Sequence, residues 1–403
     1  MNSKKGDSAA ALPALQFEAL EKRPESISVL GALALANAVG FMPSTAMPIW
    51  VAQVAPSLQW PSWTGGALAS VQLACLAIAN LAAPRAIRIV PCVRLGRLAA
   101  LSAAIGFVLM AFHSPVFMAL GAMLSGAGCG MLLAVVNSIV AGFPNAQRSF
   151  ALLQLVLVIA GVIVFFALPR LKVLFGISSV FAALSIFAGL ALLALRPVRS
   201  VPSIARQLPQ THRPPFGAKA YPIFAALALT LAGQTAMMAS VVAVGATLGL
   251  SLTSVGMVLS AGAVLCLLGP LGAHALGERF GLIRPLGLAM INLALTEAWL
   301  PHVSSTPMFF ILVTLLMGLP LFMLPYALAW LARLDAKGTW SAIAPGFMMA
   351  GAALGPSLGT FVRSVAPLSV LGEWLALSVG IAIAIIVLSR AASFTSSSKP
   401  PLL

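Results

Sequence analysis

Apolar runs long enough to cross a bilayer recur along nearly the whole chain and are separated by short polar segments, the pattern of a helix bundle solvated by lipid. They predict helices over 27–53, 63–83, 97–112, 115–142, 148–168 and 176–195, then over 220–248, 252–275, 284–300, 306–332, 340–362 and 368–390. The segment 196–219 carries Pro197, Pro202, Pro209, Pro214 and Pro215 with five basic residues, too polar to span and too proline-rich for one helix. It reads as a cytoplasmic linker between a six-helix bundle over 27–195 and a second over 220–390, with cytoplasmic tails at 1–26 and 391–403.

Weak internal similarity supports a duplicated unit. The fourth helix reads Gly126-Ala-Gly-Cys-Gly-Met131-Leu132 and the tenth reads Gly318-Leu-Pro-Leu-Phe-Met323-Leu324, matching at Gly, Met and Leu with one offset.

Composition excludes a soluble domain, because 61% of the 403 residues are hydrophobic and 8% charged, against roughly 25% charged in ordinary soluble domains. The net charge of +15 does not point to nucleic acid, since the cations sit in short connections between apolar runs rather than in a basic domain. All Lys and Arg except Arg170, Lys172 and Arg363 fall on one side of the predicted helices, which places both termini in the cytoplasm. Residues 1–26 lack an apolar stretch followed by a cleavage site and read as a tail rather than a signal peptide. Cys75, Cys92, Cys129 and Cys266 are scattered packing residues, and the four histidines have no ligand spacing, so neither a metal nor a cofactor is expected. Paired carboxylates, a Ser/His/Asp arrangement and a phosphate-binding loop are also missing, which argues against an enzyme and against ATP hydrolysis by this chain.

The connection after helix eight reads Gly269-Pro-Leu-Gly-Ala-His-Ala-Leu-Gly-Glu278-Arg279-Phe-Gly281. A glycine-rich helix end followed by an acid, an arginine, an apolar residue and glycine resembles the cytoplasmic loop motif of the major facilitator superfamily. Leu334-Asp335-Ala-Lys-Gly338 after helix ten, and Gly351-Ala-Ala-Leu-Gly355-Pro356-Ser-Leu-Gly359 in helix eleven, are similar to further features of that family. Glycines four apart let helices approach closely. The resemblance implies an all-α integral membrane fold of twelve transmembrane helices in two six-helix halves, and a gating role for Glu278, Arg279 and Asp335. The equivalent first-half connection, Pro84 to Arg97, is basic but has no acid, so a charge lock there is weaker or differently built.

The resemblance also implies that helices one, four, seven and ten line a central cavity. Asn37, Phe41 and Thr45 of helix one lie on one face, as do Thr230, Gln234 and Met238 of helix seven. Asn137, Gly126 and Gly130 of helix four and Met323, Tyr326 and Trp330 of helix ten complete the expected lining. No Asp or Glu lies between Glu25 and Glu278, and no Arg or Lys falls in mid-helix. A site without fixed charge suits a neutral or lipophilic organic solute. Glu297 is read as the only acid buried in a predicted span and is the candidate proton site; its place near the outer end of helix nine, beside Trp299 and His302, suggests a side chain that reaches water and tolerates amidation.

The expectation is a monomeric secondary or facilitative transporter in a bacterial inner membrane. It would move a small molecule by alternating access between cytoplasm and exterior, with export favoured and protons as a candidate coupling ion. The alternative is a non-transporting receptor or assembly factor on the same scaffold.

Overall fold

A computed structural model describes residues 27–143, 145–196, 198, 220–334 and 339–397. The N-terminal tail, nearly all of the expected linker, Asp335 and the last residues of the C-terminal tail lie outside the described residues. The described chain is helical with no strand, and its helices form twelve successive segments, here spans one to twelve. They are Ile27–Gly40 continued by Met42–Leu58, Thr64–Ile89, Cys92–Met110, Pro115–Val140, Ala146–Phe175, and Ile177–Ala194. The second set is Ala220–Met238 continued by Val241–Thr247, Leu252–Leu265 continued by Leu268–Leu276, Ile283–Trp299, Thr306–Leu334, Thr339–Val365, and Leu368–Ser397.

Ten of the twelve are long and apolar enough to cross a membrane by length and composition. The ninth has 17 residues before it tightens into the 3-10 turn Leu300–His302, and the eleventh is rich in glycine and serine. Outward positions such as Ile78, Leu124, Ile159, Ile186, Leu288 and Ile381 stay exposed. In water so much exposed apolar surface would aggregate, whereas lipid solvates it.

Several spans outrun their apolar cores. The second continues to Ile89 through Pro84, Arg85 and Arg88, the third begins at Cys92 ahead of Arg94 and Arg97, and the fifth runs to Phe175 past Arg170 and Lys172. Charge ends the stretch that lipid can solvate, but it does not end the hydrogen-bond ladder, so the helix passes on into the interface.

Close approach between spans rests on missing side chains. On span four, a Cβ at Gly126 would lie 2.0 Å from Gln72 O and one at Gly130 would lie 2.1 Å from Leu76 O, both on span two. These two glycines therefore pack against a neighbouring helix instead of lining a cavity. Gly351, Gly355 and Gly359 of span eleven meet the backbone of span seven at Ala228, Ala232 and Ala236 in the same way, and Thr235 Oγ1 donates to Ala352 O at 2.9 Å across that seam. In the second half, span ten meets span eight where Gly269 faces Gly318 O, the counterpart of Gly126 against span two.

Contacts between the halves run through spans two and eleven, five and eight, and the ends of one and seven. Ser357 N donates to Ser70 Oγ at 2.9 Å, Thr360 Oγ1 reaches Trp63 O, and Ser260 Oγ donates to Val162 O at 3.0 Å. The segments Met42–Leu58 and Val241–Thr247 also touch. The hydrogen bonds named here lie between mid-depth and the face opposite the one where Ile27 begins, while Leu81 against Gly346 lies nearer the other face. The halves are joined at this far face, and the other is called the terminal face.

Candidate functional site

Three spans are interrupted, the first, the seventh and the eighth, and of these the first and the seventh correspond between the halves. Pro43 has no N–H to give to Val39 O four residues earlier, so the ladder fails there and the chain turns at Phe41 before restarting at Met42. The orphaned Val39 carbonyl accepts the Cys129 thiol of span four at 3.4 Å. Span seven breaks at Ala239 and Ser240 and restarts at Val241, with Ser240 Oγ returned to Ala236 O at 3.1 Å. Paired interruptions in matching spans of two repeats are the arrangement from which transporters build midplane sites, because irregular backbone inside a membrane persists where it lines a cavity or is covered by protein.

The expected lining residues divide around these breaks. Phe41, Thr45 and Gln234 are half-buried, and Asn137 is exposed. Thr45 approaches the fifth span, where a Cβ on Gly161 would lie 3.7 Å from Thr45 Cγ2. Gln234 Nε2 lies 3.4 Å from Leu316 O of span ten, which links two of the expected cavity helices. Asn37, Met238, Met323 and Trp330 are buried, and the Asn37 amide nitrogen has no partner among the described residues. Thr230 is also buried, and its hydroxyl returns to Ala226 O at 2.8 Å within its own helix. The Tyr326 hydroxyl is engaged as well, donating to Ala273 O and Gly277 O at the end of span eight.

Glu297 departs from the sequence reading. It is 0% exposed, and both carboxyl oxygens are buried without a hydrogen-bond partner, so it does not reach water although Trp299 and His302 nearby are exposed. A methyl group on Gly233 would stand 3.2 and 3.3 Å from the two oxygens and 3.3 Å from Ser378 Oγ, which places the carboxyl between spans seven, nine and twelve. Span nine is short and turns inward at Pro301, which packs with the Glu297 backbone against Gly372. The acid therefore lies deep, beside the residue that precedes Gln234.

At the terminal face the connection after span eight is tied to span ten. Glu278 pairs with Arg333 rather than with Arg279, which is exposed. The pair is itself well exposed at 58% and 59%, and such pairs contribute about 0–1 kcal/mol, which suits a contact that is made and released. Tyr326 holds the glycine-rich helix end beside it. In the first half, with no acid available, Arg97 takes over the bracing: its guanidinium donates to the carbonyls of Leu195, Arg196 and Val198 at 3.1, 2.6 and 3.1 Å, closing the end of span six. A cation on orphaned helix-end carbonyls is favoured by both hydrogen bonding and the helix dipole.

Among the buried polar groups that sequence reasoning missed, Gln72 has the largest side chain. It is fully buried, and Nε2 donates to Ser125 Oγ at 2.8 Å, linking spans two and four beside Met110 of span three. Its isolation in an apolar helix was the available signal.

No protein-family model matches the sequence, and no curated protein matches it. Solved structures do match in shape. The nucleoside transporter NupG aligns at a TM-score of 0.67 with 13% identity, covering 89% of this chain and 98% of that one. The peptide transporter POT in complex with sulfate aligns at 0.72 with 16% identity, covering 93% and 98%. The human organic anion transporter MFSD10 (TETRAN) aligns at 0.66 with 14% identity, covering 90% and 100%. Near-complete coverage on both sides gives this chain the major facilitator fold.

Proposed function

We propose that the protein is a solute transporter that works by alternating access, moving a small neutral or lipophilic organic molecule through a midplane site between its halves. The observation that carries this reading is the pair of breaks at Phe41 and at Ala239–Ser240, in matching spans and bordered by Thr45 and Gln234. The wall there offers amide, hydroxyl, sulfur and aromatic groups and no fixed charge, which suits an uncharged solute better than a clamped anion. That the structural neighbours are transporters of nucleosides, peptides and organic anions supports the general activity and leaves the solute to this chain's own residues.

The positive-inside bias supports cytoplasmic termini in a bacterial inner membrane, which would make the far face the outer one and the described state closed to the outside. Export remains the favoured direction on the lipophilic character of the site. Glu297 is the proton site of this reading, supported by its burial without a partner close to Gln234. The test is uptake and counterflow of a panel of neutral solutes in proteoliposomes, with and without an imposed pH gradient. Saturable flux of one solute class, lost in a Thr45→Leu variant that still folds, is expected. Ligand binding without flux of any solute would favour a receptor on the same scaffold.

A further inference from the structure

Three cations face the far side, and two of them differ sharply in their surroundings. Arg170 is satisfied: its Nη1 donates to Phe166 O at 2.6 Å and its guanidinium lies 3.6 Å from the centre of the Phe166 ring. Arg363, in the last turn of span eleven, is half-buried, and its Nη1 is shut away from solvent with no hydrogen-bond partner. No acid is paired with it among the described residues, and the nearest in sequence, Glu373, is exposed on the next helix. A guanidinium is always charged and presents five donors in a fixed fork, so an arginine that lines a cavity with no acid paired to it can take an anionic acceptor there.

Arg363 opens into a cavity of about 370 Å³, at the small end of the range of about 300–1,000 Å³ that ligand pockets occupy. Val51, Ala55 and Trp60 give it an apolar wall, while Gln59, Ser62 and Thr360 supply polar groups. Gln59 is the one described non-glycine residue with a left-handed backbone, φ 55 and ψ 37, and this conformation ends span one at the cavity. Such a conformation costs on the order of 1–3 kcal/mol and gathers at ligand sites. The walls come from both halves, residues 51–62 from the first and Thr360 and Arg363 from the second.

We propose that this cavity is a binding site for an oxyanion carried on a small apolar body, either a carboxylate or a phosphate, and that its occupant clasps the two halves together at the far face. Arg363 holds the anionic head, Trp60 and Val51 pack the body, and Gln59 and Ser62 orient it. Because the walls separate when the far face opens, an occupant stabilises the closed state by its differential affinity. The site is distinct from the uncharged midplane site, and its occupancy does not require that solute be transported. Free amphipathic acids and anionic lipid headgroups share this chemistry.

The test uses the purified full chain in lipid nanodiscs, with thermal unfolding and direct binding of benzoate as readouts. In phosphatidylcholine discs benzoate should bind saturably and raise the unfolding temperature, and Arg363→Gln should weaken binding by roughly tenfold or more. Trp60→Ala, at a half-buried loop position, should weaken it independently, and this guards against misfolding of the arginine variant. If lipid is the natural occupant, phosphatidylglycerol discs should raise the unfolding temperature without benzoate, abolish its further effect, and lose that gain in Arg363→Gln. Absence of both effects in the unmodified protein, or equal effects in it and in both variants, would overturn the proposal.

Discussion

At Gly233 the missing side chain leaves room for both oxygens of Glu297, and the next residue, Gln234, turns toward span ten. The two polar groups are adjacent in depth but serve different partners, so their substitutions should separate. Glu297→Gln preserves shape and removes the titratable proton; it should abolish accumulation driven by a pH gradient while leaving solute exchange intact. Unchanged gradient-driven accumulation would return Glu297 to a packing role. Gln234→Leu should impair flux with normal expression and thermal stability, whereas a loss of stability with normal flux in the surviving fraction would mark the amide as interhelical glue, worth about 0.6 kcal/mol on average. At this scale the sequence was a partial guide. It singled out Glu297 from the scarcity of acids, but its linear position suggested contact with water, because the shortness of span nine and its turn at Pro301 are tertiary facts. Thr230 and Tyr326 had the right polarity on the right helices, yet their hydroxyls are taken by backbone carbonyls, which spacing alone does not reveal.

Elements meet through two kinds of contact, fixed seams and releasable ties. The seam of Gly351, Gly355 and Gly359 against span seven is fixed, since a side chain at Gly355 would begin 2.1 Å from Thr235 Oγ1 and 2.3 Å from Ala232 O. Gly355→Leu should therefore destabilise by at least about 1–3 kcal/mol, read as a lower unfolding temperature in detergent; no change would mean that the seam is looser than described. The tie between Glu278 and Arg333 is exposed, and neutralising either residue should shift the balance between the two access states equally, as read by labelling of single cysteines at the cavity mouths. Arg279→Gln should leave that balance near its starting value, and a shift as large as that of Glu278→Gln would restore Arg279 to the gate. The helix-eight loop motif was legible because its glycines and acid are local. Its partner was not, since Arg333 lies 55 residues away and only packing of spans eight and ten brings it near. Helix ends were the other blind spot: hydropathy measures the thickness that lipid solvates, while Arg85, Arg88, Arg94 and Arg97 all continue helices past it.

Across the whole molecule, a far-closed contact surface lies beneath an outward belt of exposed leucine, isoleucine and phenylalanine, with the broken first and seventh spans at its centre. The segments were readable from apolar runs, ten of them long and apolar enough to cross a membrane, because a bilayer sets the length of a crossing. The side on which the halves meet was not, because the same apolar runs serve either arrangement. The most direct measurement is solute flux through a Ser70→Cys/Ser357→Cys variant in proteoliposomes, at the point where spans two and eleven are joined by the Ser357 N to Ser70 Oγ hydrogen bond. Alternating access predicts saturable flux when the pair is reduced, arrest when it is oxidised to a disulfide that holds the halves closed, and recovery on reduction. Flux that continues undiminished through the fully oxidised protein would contradict it.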